Sequence, residues 1–352
     1  MSTPSPGTPG PVGWGVLAAG KIARTFAADL AHVPGARLAA VGARSADRAA
    51  ALVHDVLGPD PVDPPAVHGS YAALVADPAV DVVYVASPHS LHLDHVRLAL
   101  EAGKHVLCEK PVALRAADWE SMVALAAEHD RFLMEAMWTA CHPVVLGLVE
   151  ALATGAYGTP RHLRAELGFR VDAGPEDRLV DPALGAGALL DMGIYPLTLA
   201  HLLLGPAEET TALAALSDDA VDLDVTVLSR HPGGALATSS ASLTSWSDRT
   251  AALATDRGRI DLLGSFHHPD GAVFVPAAGD DEQGEAHGGG EQHLAPVGEV
   301  LGRGYGNEAA EVGRCLRAGL RESPMVPHAQ TAALMRQLDA VRAQVGIRYP
   351  GD

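Results

Sequence analysis

Short apolar runs recur through the first 137 positions, each followed by a segment in which apolar residues return every three or four places. Residues 14–17, 38–42, a short stretch near Val67, 80–85, 106–108 and 131–136 read as strands buried on both faces, the signature of a parallel sheet. Between them, residues 22–30, 46–57 and 91–102 carry helical periodicity. About six strands alternating with helices predict an α/β domain with a doubly wound parallel sheet over residues 14–137. The pattern changes beyond residue 138. Runs at 221–228, 235–243 and 259–263 are separated by the turn sequences His231-Pro232-Gly233-Gly234 and Asp256-Arg257-Gly258. They predict a second, α+β domain over residues 138–352 with a mostly antiparallel open sheet. Residues 277–298, rich in Gly, Asp, Glu and His, read as a loop whose His287 and His293 are solvated. Helices over 307–318 and 328–344 are expected to pack across both domains.

Composition narrows the function classes. With 352 residues and 48% hydrophobic side chains the chain can bury two cores. Residues 1–13, mostly Pro, Gly, Ser and Thr, have too little apolar surface to offset their ordering entropy and predict a disordered tail. They lack the basic start and apolar centre of a signal peptide. No run of eighteen apolar residues occurs, so no membrane partner is expected. A formal charge of −18 without a basic patch argues against nucleic acid. Cys108, Cys141 and Cys315 lie far apart with no metal-ligand spacing; no metal is expected, and a reducing, cytoplasmic setting fits.

Chemistry concentrates where the strands end. After the first strand come Ala18, Gly20, Lys21, Ile22 and Ala23, a small-residue turn that opens a helix and lets backbone N–H groups approach a pyrophosphate. The glycine pattern of a Rossmann dinucleotide site is incomplete, because Ala18 takes the first glycine's place and implies a remodelled turn. The second strand ends at Arg44 where an acid would otherwise accept a ribose hydroxyl. A forked cation there suits a 2′-phosphate, which favours NADP over NAD; alternatively Arg44 is solvated while Ser45 caps the next helix. Ser87, Pro88 and His92 follow the fourth strand, and a neutral His92 could support cofactor or substrate, or simply pack. Glu109 and Lys110 close the fifth strand, where Pro111 stops further pairing and leaves the lysine at a carboxyl strand end.

Three further candidates lie beyond the first domain. Asp191 and Tyr195 are four apart, which on a helix sets a carboxylate and a phenol one turn apart on one face; Pro196 implies a kink or a helix start nearby. They serve substrate chemistry, or act as a helix cap and a core aromatic. Trp138 offers an apolar face to an arene or sugar, or belongs to an interdomain core.

Taken together, residues 14–23, 87–92, Glu109-Lys110-Pro111, 134–139 and 191–195 resemble the Gfo/Idh/MocA oxidoreductases, and within them the branch of dimeric dihydrodiol dehydrogenases and NADP-dependent D-xylose dehydrogenases. The resemblance runs over nearly the whole chain. It implies that Lys110 reaches the nicotinamide and precedes a cis proline, and that the substrate is a sugar or trans-dihydrodiol. Tyr195 would act as general acid and base where most of the wider family has histidine, Lys110 lowering its pKa and Asp191 orienting the substrate hydroxyl or the lysine. Subunits would pair through the second sheet as a homodimer or larger homo-oligomer. Ala140 replaces an arginine usual in this branch, so any substrate contact of that arginine is missing. Other members of such a family are NAD(P)-dependent glycosidases or non-catalytic cofactor sensors, and both classes stay open at this point.

Overall fold

The apolar runs pair into one six-stranded sheet, all parallel, in the order β3-β2-β1-β4-β5-β6. The strands are β1 (Val12–Leu17), β2 (Ala36–Gly42), β3 (Ala66–His68), β4 (Val82–Val85), β5 (His105–Glu109) and β6 (Leu133–Ala136). Helices α1 (Lys21–Asp29), α2 (Ala46–Leu57), α3 (Tyr71–Val75), α4 (His92–Glu101) and α5 (Ala116–Glu128) connect them. The strand order reverses between β1 and β4, which opens a crevice beyond their carboxyl ends. This computed structural model describes residues 10–174, 176–277, 279–280, 286–287 and 290–349.

The start of β1 corrects the expected tail of residues 1–13, of which 1–9 lie outside the described residues. Val12 and Gly13 already belong to the strand: Val12 N donates to Gly35 O at 2.8 Å, and Gly13 N to the Asp81 carboxylate at 2.7 Å. Composition had suggested disorder, but two neighbouring segments supply backbone partners. Gly13 also fits because a Cβ there would lie 2.1 Å from Ala79 O.

The second sheet has eight strands in the order β16-β13-β12-β11-β7-β10-β9-β8. They are β7 (Pro160–Gly168), β8 (Glu209–Leu216), β9 (Asp222–Arg230), β10 (Leu236–Ser242), β11 (Ala251–Thr255), β12 (Gly258–Leu263), β13 (Gly271–Pro276) and β16 (Gln292–Leu294). A two-residue ribbon, β14 (Gly279–Asp280) with β15 (Ala286–His287), stands apart from it. Pairing is antiparallel except between β7 and β10. The region expected to be a loop therefore contributes an edge strand: Leu294 is buried opposite Ala272 while His293 stays exposed.

Helices α6 (Pro143–Ala153) and α7 (Ile194–Leu204) cover the inner face. Before α7 the chain makes one π-helical turn over Leu189–Gly193. Pro196 has no N–H to give a regular helix, and a widened turn immediately upstream is where such a helix can adjust. The apolar stretch Pro182–Leu204 is long enough to cross a membrane by composition, but 89% of its most apolar window is buried inside the protein. It serves as core. The outer face of the sheet leaves Leu213, Leu228 and Leu236 exposed.

Helices α8 (Tyr305–Arg317) and α9 (His328–Val345) return to the first domain. Asp29 of α1 accepts the backbone N–H groups of Arg303 and Tyr305 at 2.8 and 3.1 Å. From α9, the Asp339 carboxylate caps α5 by accepting Ala116 N at 3.0 Å, and Thr331 donates to buried Glu135 at 3.1 Å. The last fifty residues thus fasten the second sheet to the first and fix the width of the space between them.

Candidate active site

A cleft of about 740 Å³ lies between the carboxyl ends of β1, β4 and β5 and the inner side of the second domain. Ten of the residues singled out in the sequence line it: Gly20, Lys21, Ile22, Ser87, Pro88, Glu109, Lys110, Trp138, Asp191 and Tyr195. Ala18, Arg44 and His92 do not.

The turn after β1 explains Ala18. Its φ is +85°, so alanine holds the left-handed conformation that glycine would adopt freely. The turn is therefore kept at a conformational cost, not remodelled. Gly20 is the N-cap of α1 with no side chain bonded to the first-turn N–H groups, and open space lies where its Cβ would be. Uncapped donors, open space and Lys21 beside them suit a pyrophosphate, so the residues fit a dinucleotide.

Arg44 sits exposed after β2 and has no side-chain partner among the described residues, while Ser45 Oγ caps α2 by accepting Arg48 N at 3.4 Å. His92 takes the packing alternative. It lies fully buried beneath the cleft, its Nδ1 and Nε2 at 3.0 Å from Pro111 O and 2.9 Å from Ser87 O. Burial lowers its pKa to about 4, and as a neutral ring it donates to one of these two carbonyl oxygens only; it does not line the cleft.

Lys110 leaves β5 at the start of a cis Lys110–Pro111 peptide. Its Nζ donates to Asp191 O at 2.7 Å and to Asp191 Oδ1 at 3.3 Å. It also stands 4.6 Å from the centre of the Tyr195 ring. Asp191 Oδ1 accepts a second cation, Arg178 Nη1, at 2.9 Å. Burial alone would raise the Asp191 pKa, but Lys110 and Arg178 outweigh it and hold the carboxyl well below the usual carboxylate range. One carboxylate thereby fixes two cations, and of the two roles open for Asp191 the contacts made are those that orient the lysine.

Tyr195 is buried, and its hydroxyl accepts a hydrogen bond from Trp138 Nε1 at 3.1 Å. Burial, with the charges of Glu109 and Asp191, pushes its pKa well above the ordinary phenol value. This corrects the expectation of a lowered pKa: Lys110 approaches the ring face, and its charge is answered by Asp191. Glu109 Oε2 accepts Lys110 N at 3.1 Å, and its other oxygen accepts the buried Tyr84 hydroxyl. Trp138 packs as in the second of its two readings, the interdomain core. Its ring stacks on Tyr305 at 4.3 Å and 6° and lies 5.5 Å from His268, so little of its face is left for a substrate. Its service to the site is the hydrogen bond to Tyr195.

Among the lining residues with no signal in the chain are Arg178, Arg249, His267 and His268. They sit on irregular connections without periodicity, and folding alone brings them to the cleft. His267 faces Tyr195 with ring centres 5.1 Å apart, and burial first, then neighbouring cations, lower its pKa to about 3.

A Rossmann domain whose strand ends face a lysine, a carboxylate and a phenol across a cleft defines a class of dinucleotide-dependent oxidoreductases. Residues 12–137 match the model of an oxidoreductase family with an NAD-binding Rossmann fold, and residues 145–265 match the GFO/IDH/MocA C-terminal domain. The chain belongs to the Gfo/Idh/MocA family and is an NAD(P)-dependent dehydrogenase acting on CH–OH groups. It is 35% identical over 349 residues to the trans-1,2-dihydrobenzene-1,2-diol dehydrogenase of Homo sapiens, covering 96% of this chain and 98% of that one. Among solved structures it is similar to aldose-aldose oxidoreductase from Caulobacter crescentus complexed with glycerol (TM-score 0.81, 23% identity, 96% and 98% of the two chains). It is also similar to KijD10, a 3-ketoreductase from Actinomadura kijaniata in complex with NADP (TM-score 0.78, 25% identity, 96% and 99%).

Proposed function

We propose that this protein transfers hydride between NADP and a secondary alcohol or carbonyl carbon of a sugar or trans-dihydrodiol, with Tyr195 as general acid and base. The observation that carries this reading is the convergence of Lys110, Asp191 and Tyr195 in the cleft that also holds the uncapped start of α1. When bound, the nicotinamide supplies or takes up hydride. Gly20, Lys21 and Ile22 would hold the pyrophosphate, with Ser87, Pro88, Glu109 and Lys110 along the same wall. Tyr195, kept as a phenol by its raised pKa, gives its proton to the substrate oxygen during reduction. In oxidation the same oxygen must receive a proton. Lys110 is the protein cation near enough to favour the phenolate, and Asp191 fixes where that cation stands. Trp138 directs the hydroxyl.

NADP is favoured over NAD because β2 ends in exposed Arg44 with no acid to bind a ribose hydroxyl. KijD10 was solved with NADP, and the mammalian relatives are named for a trans-dihydrodiol. Residues 14–137 form the cofactor half and 138–352 the substrate half. The exposed leucines of the outer sheet face supply a surface for a homodimer or larger homo-oligomer, and three free, buried cysteines fit the cytoplasm. Turnover with NADP⁺ and NAD⁺ over aldoses and trans-dihydrodiols tests the cofactor assignment. Arg44→Ala should raise the KM for NADP⁺ roughly 10- to 100-fold, the loss of charge-assisted phosphate bonds, and change the NAD⁺ value little. Equal use of both cofactors by the unaltered protein would refute the NADP preference.

A further inference from the structure

The charge in the cleft opposes the charge of the protein. In a chain of net charge −18, five basic side chains and two acidic ones line this one space. Lys21 and Arg303 stand at the α1 wall, Lys21 in its first turn and Arg303 bonded through its backbone to Asp29, where dinucleotide phosphates are expected. Lys110 and Arg178 share Asp191. Arg249 is left over.

Arg249 lies in the connection between β10 and β11, half-buried, on the side of the cleft that carries Tyr195 and His267. Its Nε is buried without a hydrogen-bond partner among the described residues, and its guanidinium has no ion pair there. The contact it does make is with the Trp246 ring, 5.2 Å from Cζ to the ring centre. Its backbone is pinned: N donates to Ser247 Oγ at 3.2 Å and O accepts Phe266 N at 2.9 Å, with φ at +58°, a left-handed conformation costly for arginine. The pinned Phe266 immediately precedes His267, whose ring faces Tyr195. A half-buried guanidinium without a counter-charge loses solvation that one ring contact replaces only in part, and a ligand that brings acceptors to its planar fork would supply the rest.

We propose that Arg249 is a specificity-determining residue that binds an oxyanion, carboxylate or phosphate ester, carried by the substrate; of the two substrate classes above this selects the sugar, in acidic or phosphorylated form, over the neutral trans-dihydrodiol. This deepens the dehydrogenase reading and rests on it. D-Glucose, D-glucuronate and D-glucose 6-phosphate form a matched set that differs at one carbon as neutral, carboxylate and phosphate. Binding of each is measured by calorimetry on the NADPH-loaded protein at constant ionic strength, and turnover by absorbance with NADP⁺. One of the two anions should bind at least about ten-fold more tightly than glucose, as charge-assisted bonds to an arginine require, and which one does so separates carboxylate from phosphate. In Arg249→Met the preference should fall to within about two-fold, while Arg249→Lys should keep most of it. Equal binding of all three sugars by the unaltered protein overturns the inference, and so does a preference that survives in Arg249→Met. Anion-selective binding without any reduction of NADP⁺ would sustain this role for Arg249 while counting against the dehydrogenase reading.

Discussion

The two walls of the cleft are built differently. On the first, the groups singled out in the sequence follow strands of one parallel sheet within a few residues: Gly20 after β1, Ser87 after β4, Lys110 after β5. A buried strand can end in few ways, so strand, turn and helix place these groups locally. On the second wall, Asp191 and Tyr195 share a helix entry, whereas Arg178, Arg249 and His267 reach the cleft from separate connections far apart in the chain. The first wall, the proposed cofactor side, is thus a property of local sequence, and the second, the proposed substrate side, a property of tertiary assembly. A shared scaffold with varied long connections is how one fold comes to serve many substrates.

Substitutions at the junction of the walls should have the largest effects. Lys110→Met removes the cation beside Tyr195 and leaves Asp191 with Arg178 alone. Turnover should fall by about 10²-fold or more with cofactor affinity largely kept, as steady-state rates and cofactor fluorescence titration would record. Near-normal turnover would separate the lysine from the chemistry. Asp191→Asn should be next. Two cations lose their shared anion, and because Arg178 is half exposed the cost should be about 2 kcal/mol, below that of breaking a fully buried pair. Its pH dependence has a definite sign. The Asp191 pKa is depressed by folding, so its stabilisation is present above the unfolded carboxylate value near 4 and is lost as pH falls toward the folded one. Thermal melts of the two proteins should therefore differ most at neutral pH and converge in acid; a gap that widens in acid would contradict this pairing. The smallest effect belongs to the first wall alone. Ala18→Gly relieves a left-handed alanine at some cost in unfolded-chain entropy, a net gain of at most about 1 kcal/mol. A clear loss of thermal stability would show that Ala18 makes contacts worth more than the strain.

The same division governs what could be read before the fold was known. The strands of the first sheet follow from apolar runs, and the catalytic candidates after them from strand ends. The second sheet was only partly legible: Gln292–Leu294 pairs as an edge strand although its surroundings are rich in Gly and charged residues, because a ladder partner outweighs weak propensity. His92 and Trp138 show the limit within the site itself. Residue type and position left both ligand contact and packing open, because whether a ring faces the cleft depends on side chains distant in sequence, Tyr305 and His268 for Trp138. Arg249 was invisible for the complementary reason: what marks it is the lack of an ion-pair partner among the described residues, which no local pattern encodes.

Nicotinamide absorbance in a single turnover, with NADP⁺ and a substrate oxidised by the unaltered protein, compares that protein most directly with Tyr195→Phe at equal cofactor occupancy. Loss of the phenol should slow reduction of the nicotinamide by about 10²-fold or more and remove the rise in oxidation rate with increasing pH that a high-pKa phenol imposes. Reduction at an unchanged rate and with an unchanged pH profile would mean that the proton leaves by another group, and Tyr195 would lose its place at the centre of the mechanism.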